Sequence, residues 1–127
     1  MPVTLLIVDE SKVARVLAIA SIAAFRPSWR CIEASDAEQA WRLMSEMRID
    51  GVFANYDLPG QTGLAFAAEL QAANPTIPVA ISVSNPPEEA LVGARNLGVA
   101  IIARPISSKA MNTFLASTAF WVRVRQV

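Results

Sequence analysis

"GVFANYDLPGQTG", residues 51–63, is a short apolar run that breaks into a polar, turn-rich segment. Val52, Phe53 and Ala54 follow one another without polar alternation, as in a strand buried on both faces of a sheet. The run ends at Asn55, and Asp57 and Leu58-Pro59-Gly60 then mark a tight loop. Reactive side chains sit at such strand ends. The first polar residue at this one is an amide rather than an acid, which poses the chemical question of the chain.

The same alternation runs outward in both directions. "VTLLIV" (3–8) predicts a first buried strand, and Ser11 an N-cap for a helix that stops near Arg26-Pro27. "WRCIEA" (29–34) predicts a second strand. Ser35 or Asp36 then caps a helix with Ala37, Ala40, Trp41 and Met44 at helical spacing. After the strand at 51–55, "TGLAFAAELQAAN" predicts a helix with Leu64, Ala67, Ala68 and Leu70 on one side, stopped by Asn74-Pro75. "IPVAISV" (77–83) and "VAIIA" (99–103) predict the fourth and fifth strands. Between them lies a helix with Pro at its start and Gly98 at its end, and the last helix follows from residue 107. Five β-α units in strict alternation argue for a parallel sheet with helices on both faces. Residues 1–127 are expected to form one domain, with no linker, repeat or low-complexity tract.

Composition excludes several functions. Eleven Lys and Arg balance eleven Asp and Glu, so nothing favours nucleic acid or an anionic membrane. There is no histidine, which removes imidazole catalysis and most zinc sites. The single cysteine, Cys31, is expected as a small packed thiol in the second strand. The uncharged apolar stretch at residues 16–25, bounded by Arg15 and Arg26, falls short of the ~20 residues that span a bilayer. No signal peptide is expected, and the protein is expected to be cytoplasmic. The hydrophobic fraction of 54% exceeds the usual ~45–50%. It fits either an Ala-rich core or an exposed partner or dimer face.

Ligands of open α/β sheets bind beyond the carboxyl ends of the strands. Those ends carry Asp9-Glu10, Asn55 to Asp57, Val83-Ser84 and Arg104-Pro105. Crowded carboxylates call for a hard cation such as magnesium, or for an arginine or lysine, and Arg104 stands ready for the second role. The plain alternative is a pair of solvated acids that only caps the first helix.

"LLIVDESKVAR", "GVFANYDLPGQTGLAF", "IPVAISVS" and "LGVAIIARPIS" together resemble the receiver domain of bacterial response regulators, over essentially the whole chain. The resemblance implies a flavodoxin-like, three-layer α/β/α fold with a five-stranded parallel sheet in the order 2-1-3-4-5. It implies a role in two-component phosphorelay signal transduction, in which a histidine kinase phosphorylates an aspartate after the third strand. Residue by residue, Asp9 and Glu10 match the acid pair that holds magnesium, with Glu10 one methylene longer than the usual Asp. Asn55 stands at the phosphoacceptor position. Asp57 matches a position whose main-chain carbonyl binds the metal. Val83, flanked by Ser82 and Ser84, stands where a Ser or Thr senses the phosphate. Arg104 replaces the lysine, Ile101 the switching aromatic, and the bond before Pro105 is expected to be cis.

A carboxamide is a poor nucleophile and carries no charge to bind magnesium. Its presence at position 55 removes one negative charge, so magnesium is expected to bind weakly if at all. Arg104 is expected to donate to Asp9 or Asp57, locking the site with a salt bridge. The chain then reads as a stand-alone receiver-like module, not an enzyme, that signals by protein contact without phosphorylation. The open alternative is a conventional, phosphorylatable receiver in which Asn55 is an engineered replacement of Asp. Two further classes fit poorly. An aspartate-nucleophile phosphatase would carry Asp where Ser11 stands, and a flavodoxin would cradle flavin phosphate in a loop that here presents two acids. No flavin or nucleotide is expected. No output domain is expected, so the partner would be a histidine kinase, a phosphotransfer protein or an effector, with a homodimer also open. Its docking face would comprise the fourth helix, fifth strand and fifth helix and could include Val92, Ile101, Met111 and Phe114, the last two reading equally as plain core residues of the fifth helix.

Overall fold

The structure is a computed structural model and describes residues 2–125. The chain folds as β1 (Thr4–Val8), α1 (Lys12–Phe25), β2 (Arg30–Ala34), α2 (Ala37–Glu46) and β3 (Gly51–Asn55). A two-residue hairpin follows, β4 (Asp57–Leu58) with β5 (Gln61–Thr62), then α3 (Gly63–Ala73), β6 (Val79–Val83), α4 (Glu88–Leu97), β7 (Ala100–Ala103) and α5 (Ser108–Arg125). The main sheet has five parallel strands in the order β2-β1-β3-β6-β7. With the hairpin strands set aside this is the expected 2-1-3-4-5 order of a flavodoxin-like sheet.

Local chemistry explains the element ends. The Ser11 hydroxyl accepts from the Ala14 N–H at 3.2 Å and starts α1. Of the two candidate caps for α2 it is Asp36 that serves, accepting from Gln39 N–H at 2.8 Å. The loop after β3 is more ordered than the sequence suggests. Pro59 and Gly60, with φ of 83° at Gly60, turn the chain so that Asp57 pairs with Thr62 and Leu58 with Gln61.

The uninterrupted apolar strands are explained by burial on both sides. Leu6, Val8, Val52, Ala54 and Ile81 pack with Phe66, Ala67 and Leu70 on one face of the sheet. Leu5, Ile7, Phe53, Ala80 and Ile102 pack with Ile22, Met111, Phe114 and Leu115 on the other. One expectation is corrected here and one open alternative is closed. The buried side of α3 includes Phe66, whereas Ala68 is exposed, because a helix turn of 3.6 residues brings 63, 66, 67 and 70 to the sheet. Of the two readings of Met111 and Phe114 the core one holds, since on α5 they are 0% and 3% exposed and offer nothing to a partner.

The backbone at β3 is fixed from beneath by α3. Gly63 N–H donates to the Tyr56 carbonyl at 2.5 Å, and a Cβ at Gly63 would run into the Asn55 carbonyl oxygen. Only glycine lets α3 start this close to the residue that defines the site. Gly63→Ala is expected to lower stability by about 1–3 kcal/mol through this backbone clash, read as a drop in urea midpoint. An unchanged midpoint would show that the β3 end has room to move.

Candidate functional site at the carboxyl end of the sheet

Four strand ends meet at one edge of the sheet. Asn55 closes β3 and stands in register with Ser82 on β6. Tyr56 N–H donates to the Ser82 carbonyl at 2.8 Å, and Arg104 N–H to the Val83 carbonyl at 3.1 Å, which carries the loop after β7 across to β6. The Arg104-Pro105 bond is cis, as expected.

Asn55 and Arg104 make the central contact. The Arg104 Nη2–H donates to Asn55 Oδ1 at 2.6 Å. The other end of the same amide, Nδ2–H, donates to the main-chain carbonyl of Asp57 at 3.0 Å. These two partners fix which end of the amide is oxygen and which is nitrogen. A carboxylate could accept from Arg104 but would set an oxygen against the Asp57 carbonyl. The residue type is therefore matched to its surroundings on both sides.

The expected salt bridge from Arg104 to Asp9 or Asp57 is not formed, and the reason is local. The Asp57 side chain is exposed, and what Asp57 contributes is its carbonyl. Asp9 is 8% exposed, and its Oδ1 accepts from Ser11 N–H at 2.9 Å, drawing it towards the start of α1. The positive end of that helix partly offsets its charge. Glu10 is exposed and takes part through its carbonyl, which receives Arg15 Nη1–H at 3.5 Å. Among the described residues, no three His, Cys, Asp or Glu side chains gather closely enough to hold a metal ion.

The switch positions are apolar or turned away. Val83 is buried at 3% exposure and fills the core, and Ser84 is exposed. Ile101 is half-buried and packs against the α2–α3–α4 side of the sheet. Ser82, at 3% exposure, sits on the same side of the sheet as Asn55, so the buried hydroxyl nearest the site comes one residue earlier than the position it was sought at.

Two residues of this edge escaped sequence reasoning. Arg15 donates Nη1–H to the Asp9 carbonyl at 2.6 Å and Nε–H to Glu33 at 2.8 Å. Lys12 reaches the same Glu33 at 3.0 Å. The available signal was the i, i+3 spacing of Lys12 and Arg15, which puts both cations on one side of α1. Their hydrogen bonds, Arg15 first, hold the Glu33 carboxyl below its ordinary range. Two residues back on the same face of β2, burial and then the Glu33 charge push the Cys31 thiol up.

A family model for the response regulator receiver domain matches residues 5–116. This chain belongs to that family. Receiver domains are modules of two-component signalling, and they commonly bind magnesium at the acceptor site. The signal receiver domain of an HD domain-containing protein from Pseudomonas fluorescens Pf-5 superposes with a TM-score of 0.85 at 18% identity, covering 98% of this chain and 92% of that one. The chemotaxis response regulator CheY4 of Vibrio cholerae gives 0.77 at 16% identity over 93% and 99%. The receiver domain of NtrX from Brucella abortus gives 0.78 at 22% identity over 90% and 96%. No curated protein matches the chain by sequence. In this receiver domain the donor set suits magnesium poorly. Asn55 brings no negative charge, and its own Nδ2–H already occupies the Asp57 carbonyl.

Because the folded Glu33 carboxyl is depressed, its contribution to stability is fully present above the unfolded carboxylate range and is lost as pH falls through the folded value. Urea midpoints taken from neutral pH into acid should therefore fall more steeply for the parent than for Glu33→Gln. Parallel curves would mean that the Lys12 and Arg15 pairs add nothing.

Proposed function

We propose that this chain is a receiver module of two-component phosphorelay signalling that takes no phosphoryl group at Asn55 and signals by protein contact. The observation that carries the reading is the double engagement of the Asn55 carboxamide, held by Arg104 at Oδ1 and by the Asp57 carbonyl at Nδ2. An acyl phosphate needs a carboxylate oxygen as nucleophile, and the amide lone pair is delocalised. Magnesium binding is correspondingly weak, and the module is not an enzyme. Val83, with no hydroxyl, and Ile101, with no polar ring edge, add two further departures from the groups that the resemblance assigns to sensing phosphate. A conventional receiver in which Asn55 alone replaces Asp would leave these other departures unexplained.

Residues 1–127 act as one cytoplasmic unit in this reading. The partner is a histidine kinase, a phosphotransfer protein or an effector, and docking uses the face of α4, β7 and α5. There β7 is an edge strand of the sheet. A groove of about 560 Å³ runs between it and α5 past Ile101, Lys109 and Thr113. Leu91 and Val92 stand exposed on α4 at 40% and 45%. Such an edge with nearby apolar side chains is suited to a second copy or to another protein.

Acetyl phosphate should add no mass to the protein, and beryllofluoride should leave its amide NMR spectrum unchanged. Asn55→Asp should regain some magnesium binding and some labelling, since Asp9 and Glu10 remain. The response should nevertheless stay local, because a ligand shifts a conformational equilibrium only through contacts that differ between the states. Beryllofluoride shifts spreading across α4 and β7 in Asn55→Asp would identify an intact switch and a conventional receiver.

A further inference from the structure

A cavity of about 330 Å³ opens beside the Asn55–Arg104 contact, between α1 and the loop after β7. Its walls include Asp9, Leu17, Phe53, Ser82, Arg104 and Ile106. The size falls within the range of small-molecule sites, and an apolar lining with a few polar groups is their usual chemistry.

The polar groups are unusual in combination. Asp9 and Arg104 border one cavity, yet they form no ion pair with each other within 4.0 Å. Among the described residues, the Asp9 carboxylate accepts only from Ser11 N–H and has no cation partner. Arg104 spends one nitrogen on Asn55, while its Nε–H is buried and has no acceptor. A buried donor left unpaired is a standing cost that an incoming acceptor removes. The neighbouring Leu17 is 62% exposed, an apolar wall left open to water.

We propose that this cavity binds a small zwitterion of the α-amino-acid class with an apolar side chain. The ammonium pairs with Asp9, the carboxylate with the Arg104 guanidinium, and the side chain covers Leu17, Phe53 and Ile106. A purely anionic ligand would meet the buried Asp9 carboxylate, and a purely cationic one the guanidinium. A zwitterion satisfies both charges and adds none. Because Arg104 Nε is sealed from solvent, the ligand carboxylate reaches it only as the side chain turns, which loosens the bond to Asn55. Occupancy of the cavity is thereby coupled to the contact that holds the site. The proposal rests on the reading that neither a phosphoryl group nor a metal claims Asp9 and Arg104.

The test is a titration of the full chain with L-phenylalanine and L-leucine, followed by the amide, Arg104 Nε and Asn55 Nδ2 NMR signals. Phenethylamine, 3-phenylpropionate and magnesium chloride are titrated in parallel. An amino acid should give saturable shifts at Asp9, Leu17, Arg104 and Asn55. Each half-ligand should bind at least about tenfold more weakly, having lost one charge-assisted pair. Leu17→Ser, a change at an exposed position that leaves the fold intact, should weaken binding severalfold, and Arg104→Met should abolish it. The proposal is overturned if neither amino acid gives saturable shifts, if a half-ligand or magnesium alone matches them at the same residues, or if Arg104→Met binds as well as the parent. Mass analysis of the same sample after acetyl phosphate separates the two claims. A chain that takes no phosphoryl group and binds no amino acid refutes the site alone, whereas labelling refutes the reading beneath it.

Discussion

Arg104 and Asn55, joined at 2.6 Å, tie the end of β7 to the end of β3 across the intervening strand β6. The rest of the carboxyl edge depends on this link. It uses a charged donor and a neutral acceptor, so it needs no buried carboxylate in the middle of the site and incurs less of the desolvation cost of a buried ion pair. It also commits the asparagine, whose nitrogen is already directed at the Asp57 carbonyl. A chemical group that needs the side chain of residue 55 or the Asp57 carbonyl must first break these bonds.

The acids at this edge are dispersed rather than clustered. Asp9 is drawn to the start of α1 by Ser11 N–H, and the Asp57 side chain lies in water. Arg15 anchors α1 by reaching both the Asp9 carbonyl and Glu33 on β2. Of the acids near this edge, Glu33 is paired with Lys12 and Arg15, while the Asp9 carboxylate has no cation partner among the described residues. Between the Asp9 group and the Arg104 group lies a cavity where opposite charges face a common space without meeting.

The fold was legible in the sequence because uninterrupted apolar runs separated by capped amphipathic segments admit few arrangements other than a covered parallel sheet. Ser11, Asp36 and Gly98 each ended an element close to where it was expected. The strand ends were legible too, since topology alone carries Asp9, Asn55 and Arg104 to one edge, although the buried hydroxyl of that edge is Ser82, one residue before the Val83 position read from the sequence. What the sequence did not reveal was pairing within that edge. Charge favoured Arg104 with an acid, but the backbone placed an amide oxygen within its reach and turned the Asp57 carboxylate outward. The two-residue hairpin at 57–62 was missed because its strands are too short to have a period. Met111 and Phe114 look alike as core or contact residues, since apolarity does not say which face of a helix meets the sheet.

The central claim is that the Asn55 amide is held at both ends, and solvent exchange of its side-chain NH₂ protons measures this directly. Held by the Asp57 carbonyl, one of the two protons should exchange more slowly than those of an exposed asparagine such as Asn112. Its resonance should ignore magnesium and move when Arg104 is replaced by methionine. Exchange at the rate of an exposed asparagine, or a resonance that follows added magnesium, would contradict the account.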